Sequence, residues 1–479
     1  MSVRTLKKTS SKAGVGSRPH RTHLPPPIAA SGGAVTLSSM SPAMVDRLFW
    51  RAGFGPTAQD HATWAGKSVS ETVDSLLSAP PTLVGIAPTR DGNPLDPAAD
   101  DTDLSLHWID RMVRSQNPFV ERMVFFWHRH WANSRTGVSP PQLLMKQGEL
   151  FRRYSDFGAN PNATFRNMAY EVSEDPSMLR FLTAETNVKG APNENYAREL
   201  MELFALGIHD DAGTPNYTED DVKQLAKAFS GWQINDSNPD AAYSYFTPSR
   251  WYNGPKSVLG KFGNFKSREA VDVVLAHPSH PRFFIRKLWY EFIASPPDQA
   301  TLDDLIKTYN EGNLALKPLL EKILSHPQLF ESLDEPNMIK PPVVYVVGAM
   351  RALGVGVTDS SPVDYMSSMG QVPYFPPTVA GWEGGLAWLN TNTALARFDF
   401  VGQLLNNPAV APQDVSGETA TAAYDRAYAA VGLPWLAAGT QSAIRDYAKR
   451  APAQSTTHRK QRQLMLRALM LAGPDGQVM

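Results

Sequence analysis

Cysteine is absent from all 479 residues, which removes disulfides, thiolate metal ligands and a cysteine nucleophile from consideration. That absence fits an oxidising compartment as readily as a reducing one. Net charge is also lacking: Lys plus Arg total 46 against 47 Asp plus Glu, a formal −1, so no whole-molecule field draws the chain to nucleic acid or to an anionic membrane. No run of about 20 apolar residues exists, which argues against a transmembrane helix. Acidic residues are missing before Asp46, while Arg4, Lys7, Lys8, Lys12, Arg18 and Arg21 precede it. This Ser/Pro/Gly-rich stretch reads as a disordered basic arm over residues 1–40. It starts like the charged region of a signal peptide, but no apolar run of roughly 7–15 residues comes after it, so a standard secretory signal is not supported and a cytoplasmic location is the default. Also missing are a GxSxG elbow, a P-loop, a GxGxxG fingerprint and HExxH, which disfavours nucleophile-elbow acyl transfer, nucleotide phosphate binding and zincin chemistry.

What is present is an ordinary globular composition, 42% hydrophobic, 19% charged and 10% aromatic, ample for a sizeable core. Helix punctuation recurs along it. Ser41-Pro42 opens a helix that Gly53 closes, Thr57 and Asp60 are spaced as a capping box, and so are Ser68 and Glu71 ahead of Pro80-Pro81. Residues 80–100 lack periodicity and read as a surface loop. Helical spacing of apolar residues then covers 104–114, 118–133, 141–154 and 162–174. Thr218 and Asp221 cap a further helix that stops at Gly231-Trp232, and 280–293 and 302–325 each read as one helix. Proline before and glycine after make PPVVYVVGAMRALG a buried helix despite its β-branched residues. A short hairpin is expected only within 232–268, an ordered Pro/Gly/Trp loop over 369–397, and closing helices over 413–452 and 457–472. The expectation is an all-α fold: one large multi-helix domain over 41–479 with long ordered loops and at most a small β-hairpin.

Two polar anomalies stand out against this background. PNENYARELMELFALG, residues 192–207, sets Glu194, Arg198, Glu199 and Glu202 on an otherwise apolar helix. Residues i and i+3 share a helix face, so Glu199 and Glu202 suit a hard divalent cation or a division of acid and base roles. The structural alternative is a salt-bridge ladder, Glu194 to Arg198 and Arg198 to Glu202, since charges among Leu200, Met201, Leu203 and Phe204 need partners when buried. The second anomaly, FFWHRHW, places His128 and His130 in an aromatic run. Imidazole is a common metal ligand, yet residues two apart on a regular helix point about 200° away from each other, so joint chelation requires a break or bulge. The alternative is a pair of hydrogen-bonded core imidazoles braced by Trp127 and Trp131. A lone axial histidine admits haem in principle, without any specific sign of it.

Arg286 and Lys287 are natural counter-ions to those acids, or holders of a sulfated or phosphorylated ligand. The loop MGQVPYFPPTVAGWEGG brings Gln371, Tyr374 and Trp382, with Trp388 just beyond, either as a lid or sugar-stacking platform or as a rigid cover over the helices.

RLFWRAGFGPT, FFWHRHWANS, NENYARELMELFALG with YTEDDVKQLAKAFSGW after it, IRKLWYEF and MGQVPYFPPTVAGWEGGLAWLNT succeed one another in an order that resembles the domain-of-unknown-function 1800 family. The resemblance spans about residues 41–397 and the closing helices. It implies a predominantly helical bacterial protein without an assigned activity, in a family whose members are often exported and often encoded beside a sulfatase-like family. The apolar N-terminal stretch that an exported member would carry is not seen here.

Together these features lead us to expect a polar centre where 125–131, 193–203 and 283–291 meet. One reading is an enzyme: Glu199, Glu202, Arg198 and His128 carry the chemistry, Arg286, Lys287, Trp382 and Tyr374 hold an anionic or carbohydrate-like substrate, and His128, His130, Glu199 and Glu202 are the ligands if a divalent metal is used. The other is a binding or assembly protein, whose partner would be the sulfatase-like protein.

Overall fold

The computed structural model describes residues 39–479. The expected basic arm therefore lies outside the described residues, apart from Ser39 and Met40, and Met40 is already buried. Among the described residues there are twenty α-helices and three two-stranded antiparallel ladders, the all-α architecture that the spacing implies. None of these helices is long and apolar enough to cross a membrane.

Local chemistry accounts for the helix starts. Ser41 Oγ accepts the Met44 N–H and Pro42 fills the first helical position of Pro42–Ala52. Thr57 with Asp60 and Thr218 with Asp221 form reciprocal capping boxes. At Ser68 only half of the expected box exists: its hydroxyl caps Glu71 N–H, while the Glu71 carboxylate pairs with Lys67 instead.

Several expected boundaries need correction. The single helix over 302–325 is two, Gln299–Glu311 and Leu316–Leu324, because Asn313 and Leu314 adopt left-handed backbone (φ 54° and 64°) just after Gly312. The stretch over 413–452 likewise divides into Ala420–Ala430 and Ala438–Arg450 around Gly432, Leu433 and Pro434, the first two at positive φ. Inside 232–268 there are two hairpins rather than one, Trp232–Asn235 with Tyr243–Phe246 and Lys256–Val258 with Lys261–Gly263. The loop expected over 369–397 also ends early, since Thr391–Leu405 is helical behind an Asn390 cap.

The helix that organises the core is Phe119–His130, buried at every residue except Arg129. Its apolar side chains join a contiguous core that draws on nearly every helix, and each large side chain removed from water there contributes roughly 1.5–3 kcal/mol. Two buried carboxylates, one on this helix and one packed against it, are matched by arginines. Glu121 accepts from Trp108 Nε1 (2.8 Å), Arg111 Nε (3.2 Å) and Arg152 Nε (2.7 Å). Glu291, on Ser279–Phe292, takes Arg122 (3.1 Å) and Arg129 (2.9 Å). These pairs fix the depth at which the neighbouring helices approach, and with it the position of His128 and His130.

Candidate functional site

The acid-rich segment is not one regular helix. After the short α-helix Asn195–Glu199 the chain widens into a π-helix, Leu200–Ala205, and the N–H groups of Leu206 (3.0 Å) and Gly207 (3.1 Å) both converge on the Met201 carbonyl. Gly207 then turns away at φ 78°, a left-handed conformation that disfavours a side chain. Widening takes carbonyls out of the α ladder, and buried carbonyls need donors. Lys287 Nζ donates to Leu203 O (3.1 Å), and Asn216 Nδ2 donates to Leu206 O and Gly207 O (3.0 Å each). His280 Nδ1 lies 3.0 Å from Ala205 O, and a carbonyl only accepts, so Nδ1 carries the proton and Nε2 accepts from Tyr309 OH at 3.1 Å. The polar groups of the Ser279–Phe292 helix that face this turn thus complete its backbone.

The two acids ride on the turn, both half-buried. Glu202 accepts from Tyr217 OH at 3.2 Å. Glu199 accepts no hydrogen bond among the described residues, and its carboxyl is pushed up to about 7, first by burial and then by the like charge of Glu202, with Arg198 opposing both. Arg198 does not form the expected pair with Glu202. Its guanidinium grips both oxygens of Glu219 (2.8 Å each) and takes Glu194 at 3.2 Å, so half of the predicted ladder exists and the other half is replaced. The chain leaves the α period just after Arg198, and Glu219, on the 219–228 helix, lies beyond what i,i+4 spacing reaches.

The imidazoles face different surroundings. His128 Nε2 accepts the Tyr374 N–H (3.2 Å), and its ring lies among Trp108, Tyr374 and Trp382 at centroid separations of 5.2, 5.6 and 5.7 Å. Burial pushes its pKa down to about 3. His130 sits in a box of Trp131 (4.7 Å), Phe165 (5.8 Å) and Phe284 (6.0 Å), and neither ring nitrogen has a hydrogen-bond partner among the described residues. Burial, and then the charge of Lys287, hold it far below the ordinary histidine range. The expected metal set of His128, His130, Glu199 and Glu202 is therefore not assembled. Among the described residues no three His, Asp or Glu side chains stand together as metal ligands. The cause is the regular helix at 128–130, which points the two rings apart.

The expected substrate holders are also engaged elsewhere. Arg286 forms a two-pronged pair with Asp211, which Arg282 joins at 3.2 Å, and does not meet Glu199 or Glu202. Lys287 is half-buried against the π-turn, its pKa brought down to about 7 by desolvation and then by the nearby Arg129. Tyr374, Trp382 and Trp388 are buried, and Gln371 Oε1 caps Val343 N–H (3.1 Å) at the start of Pro342–Leu353. Tyr374 takes a positive φ of 69° and its carbonyl receives Arg135 N–H at 2.8 Å. The aromatic loop is a cover with its rings turned inward, so no ring face of Tyr374 or Trp382 is open for a sugar or a partner.

Spacing alone missed a concavity of about 600 Å³ beside the Phe165–Glu174 helix. Tyr154, Tyr170, Glu171, Glu174, Asp175 and Arg268 line it. Asp175 ends one helix and caps the next, Pro176–Phe181, by accepting Met178 N–H (2.9 Å). Burial pushes its carboxyl up to about 7 against that bond and the one from Gln147. The Glu-Asp-Pro junction at 174–176 is the signal that could have found it: two adjacent acids at a helix-to-helix joint, where only one is needed as a cap.

The chain matches no curated protein and no solved structure. A family model does match, over residues 47–478, nearly the whole of the described structure and all five motifs that carried the resemblance. On that match the chain belongs to the family described as "Protein of unknown function (DUF1800)".

Proposed function

We propose that this protein is an enzyme of the acid–base class whose proton-handling pair is Glu199 and Glu202. The observation that carries the reading is the state of Glu199: half-buried, without a hydrogen-bond donor among the described residues, and held near neutrality beside a second carboxylate. Two acids in unlike settings divide the roles of proton donor and acceptor. Glu199 is the donor, and Glu202, steadied by Tyr217 OH, is the acceptor. Arg198 acts through them as a positioning charge, since Glu219 and Glu194 already occupy its guanidinium. The cations that would receive an anion are engaged, Arg286 by Asp211 and Lys287 by Leu203 O, which favours the carbohydrate-like substrate over the anionic one.

A panel of 4-nitrophenyl glycosides assayed across the neutral range tests this. We expect turnover of at least one, with a pH profile that breaks near 7 and is flattened in Glu199→Gln. Wild-type rates across the panel no greater than those of a folded Glu199→Gln/Glu202→Gln variant would refute the reading.

One observation favours a second reading, a binding or assembly protein. Leu386 (83% exposed), Leu395 (60%) and Phe398 (53%) present apolar side chains to solvent beside the aromatic cover. Under this reading the sulfatase-like protein docks there, and Leu395→Glu/Phe398→Glu should abolish its co-purification; undiminished capture argues against it.

A further inference from the structure

We propose that the concavity beside the Phe165–Glu174 helix is a binding site for a neutral polyhydroxylated ligand of oligosaccharide size, with Asp175 at its floor. This rests on a different observation from the Glu199–Glu202 reading, and neither depends on the other.

The size is right, because about 600 Å³ lies within the roughly 300–1,000 Å³ of small-molecule sites. Asp175 is 5% exposed, and its bonds from Gln147 Nε2 (2.9 Å) and Met178 N–H (2.9 Å) both use Oδ2, with the adjacent Ser177 N–H as a further backbone donor to the carboxylate. No side chain among the described residues bonds its other oxygen, in a residue that lines the cavity. A buried carboxyl with one committed oxygen leaves the second to a ligand hydroxyl. Close by, the buried Tyr196 hydroxyl is within reach of the charges of Glu174 and Asp175.

The walls decide the ligand's charge. Glu171 already holds Tyr154 OH (2.7 Å) and Arg153 (2.7 Å). Glu174 holds both prongs of Arg268 (3.0 and 2.7 Å) and Ser267 Oγ (3.1 Å). The guanidinium of Arg268 also lies 5.7 Å over the Tyr170 ring, and that of Arg153 lies 5.9 Å over Tyr154. A cationic ligand would have to displace an arginine from a carboxylate and from an aromatic face at once. An anionic ligand would meet Glu171, Glu174 and Asp175. A neutral ligand meets matched donors and acceptors beside tyrosine rings, which is what a polyol surface requires. Because the Asp175 carboxyl sits near 7, it is able to donate as well as accept around neutrality.

Calorimetric titration of the full chain with maltotriose, cellotriose and triacetylchitotriose tests the site, with spermidine and inorganic phosphate as charged comparators. At least one trisaccharide should bind at millimolar concentration or tighter. Its affinity should fall roughly tenfold or more in Asp175→Asn, which keeps a good N-cap, and in Tyr170→Ala, whose ring is only half-buried. Glu199→Gln should bind it as the wild type does, so that this site and the proton-handling pair fail separately. The site is overturned if none of the three binds, if a charged comparator binds more tightly than all of them, if both cleft variants retain full affinity, or if Glu199→Gln alone loses binding.

Discussion

Glu121 and Glu199 are both glutamates on helices packed into one core, yet they behave oppositely. Glu121 is the more deeply buried, and burial pushes its carboxyl up, but the charge and hydrogen bonds of Arg152, then Arg111, then the Trp108 indole outweigh that and leave it below the ordinary range. Glu199 is less buried and ends near 7, because its closest charge is another carboxylate and its nearest arginine is committed elsewhere. Depth alone does not decide what a buried acid does. The partners left over for it do, and a group the fold leaves unmatched is the one available for chemistry.

The largest expected effect breaks the matched side of this comparison. Glu121→Ala leaves the buried Arg152 with only the exposed Glu149 as partner and strips Arg111 and the Trp108 indole of theirs, and should lower unfolding free energy by about 3–5 kcal/mol in denaturant titration. A loss below about 1 kcal/mol would mean that burial, not partnering, dominates there. Of similar size but without charge, Phe284→Ala should remove about 3–5 kcal/mol by opening the aromatic box around His130 and Phe165. Smaller and pH-dependent is the unmatched side. Glu199 rises from 4.5 to about 7 on folding and Asp175 from 3.8 to about 7, so the folded state holds protons that the unfolded chain has released. Their stabilising contribution is complete below pH 4 and is lost as pH climbs towards 7. Glu199→Gln should reduce that slope, raising the melting temperature relative to wild type at pH 8 more than at pH 5. Equal shifts at both would place its carboxyl in the ordinary range. The smallest effect belongs to Arg286→Ala, whose part-exposed pair with Asp211 should yield at most about 1 kcal/mol.

Much of the fold was legible because caps and breakers act locally. The boxes at Thr57 and Thr218, the Ser41-Pro42 start and the buried Pro342–Leu353 helix all arise from side chains within four residues of the boundary they set. What escaped depends on departures from the standard period or on distant partners. The split after Gly312 turns on Asn313 and Leu314, and leucine at positive φ has no sequence signature. The π-turn escaped because an apolar-acid pattern fits 3.6 residues per turn whether or not the ladder shifts, and the donors that stabilise it, Lys287, His280 and Asn216, are 9 to 84 residues from the carbonyls they meet or approach. The polar centre was therefore half legible: His130, Lys287 and the acid-rich segment do come together, while Arg286 and the aromatic loop serve other contacts. The Asp175 cleft is assembled from four helices and a strand, a meeting of which only the Glu-Asp-Pro junction gives any local sign.

The widened turn at Leu200–Ala205 also makes chain length a variable at this place. A π segment holds about one more residue than the α-helix it replaces, so removing one residue there would let the regular ladder close and rotate the upstream turns by about 100° against the downstream chain. Glu199 would then swing to another side of the helix while Glu202, Tyr217 and Lys287 stayed where they are. A one-residue deletion is a larger change here than most substitutions, and homologous chains that differ in length between Tyr196 and Gly207 should differ in whether their acids form a pair at all.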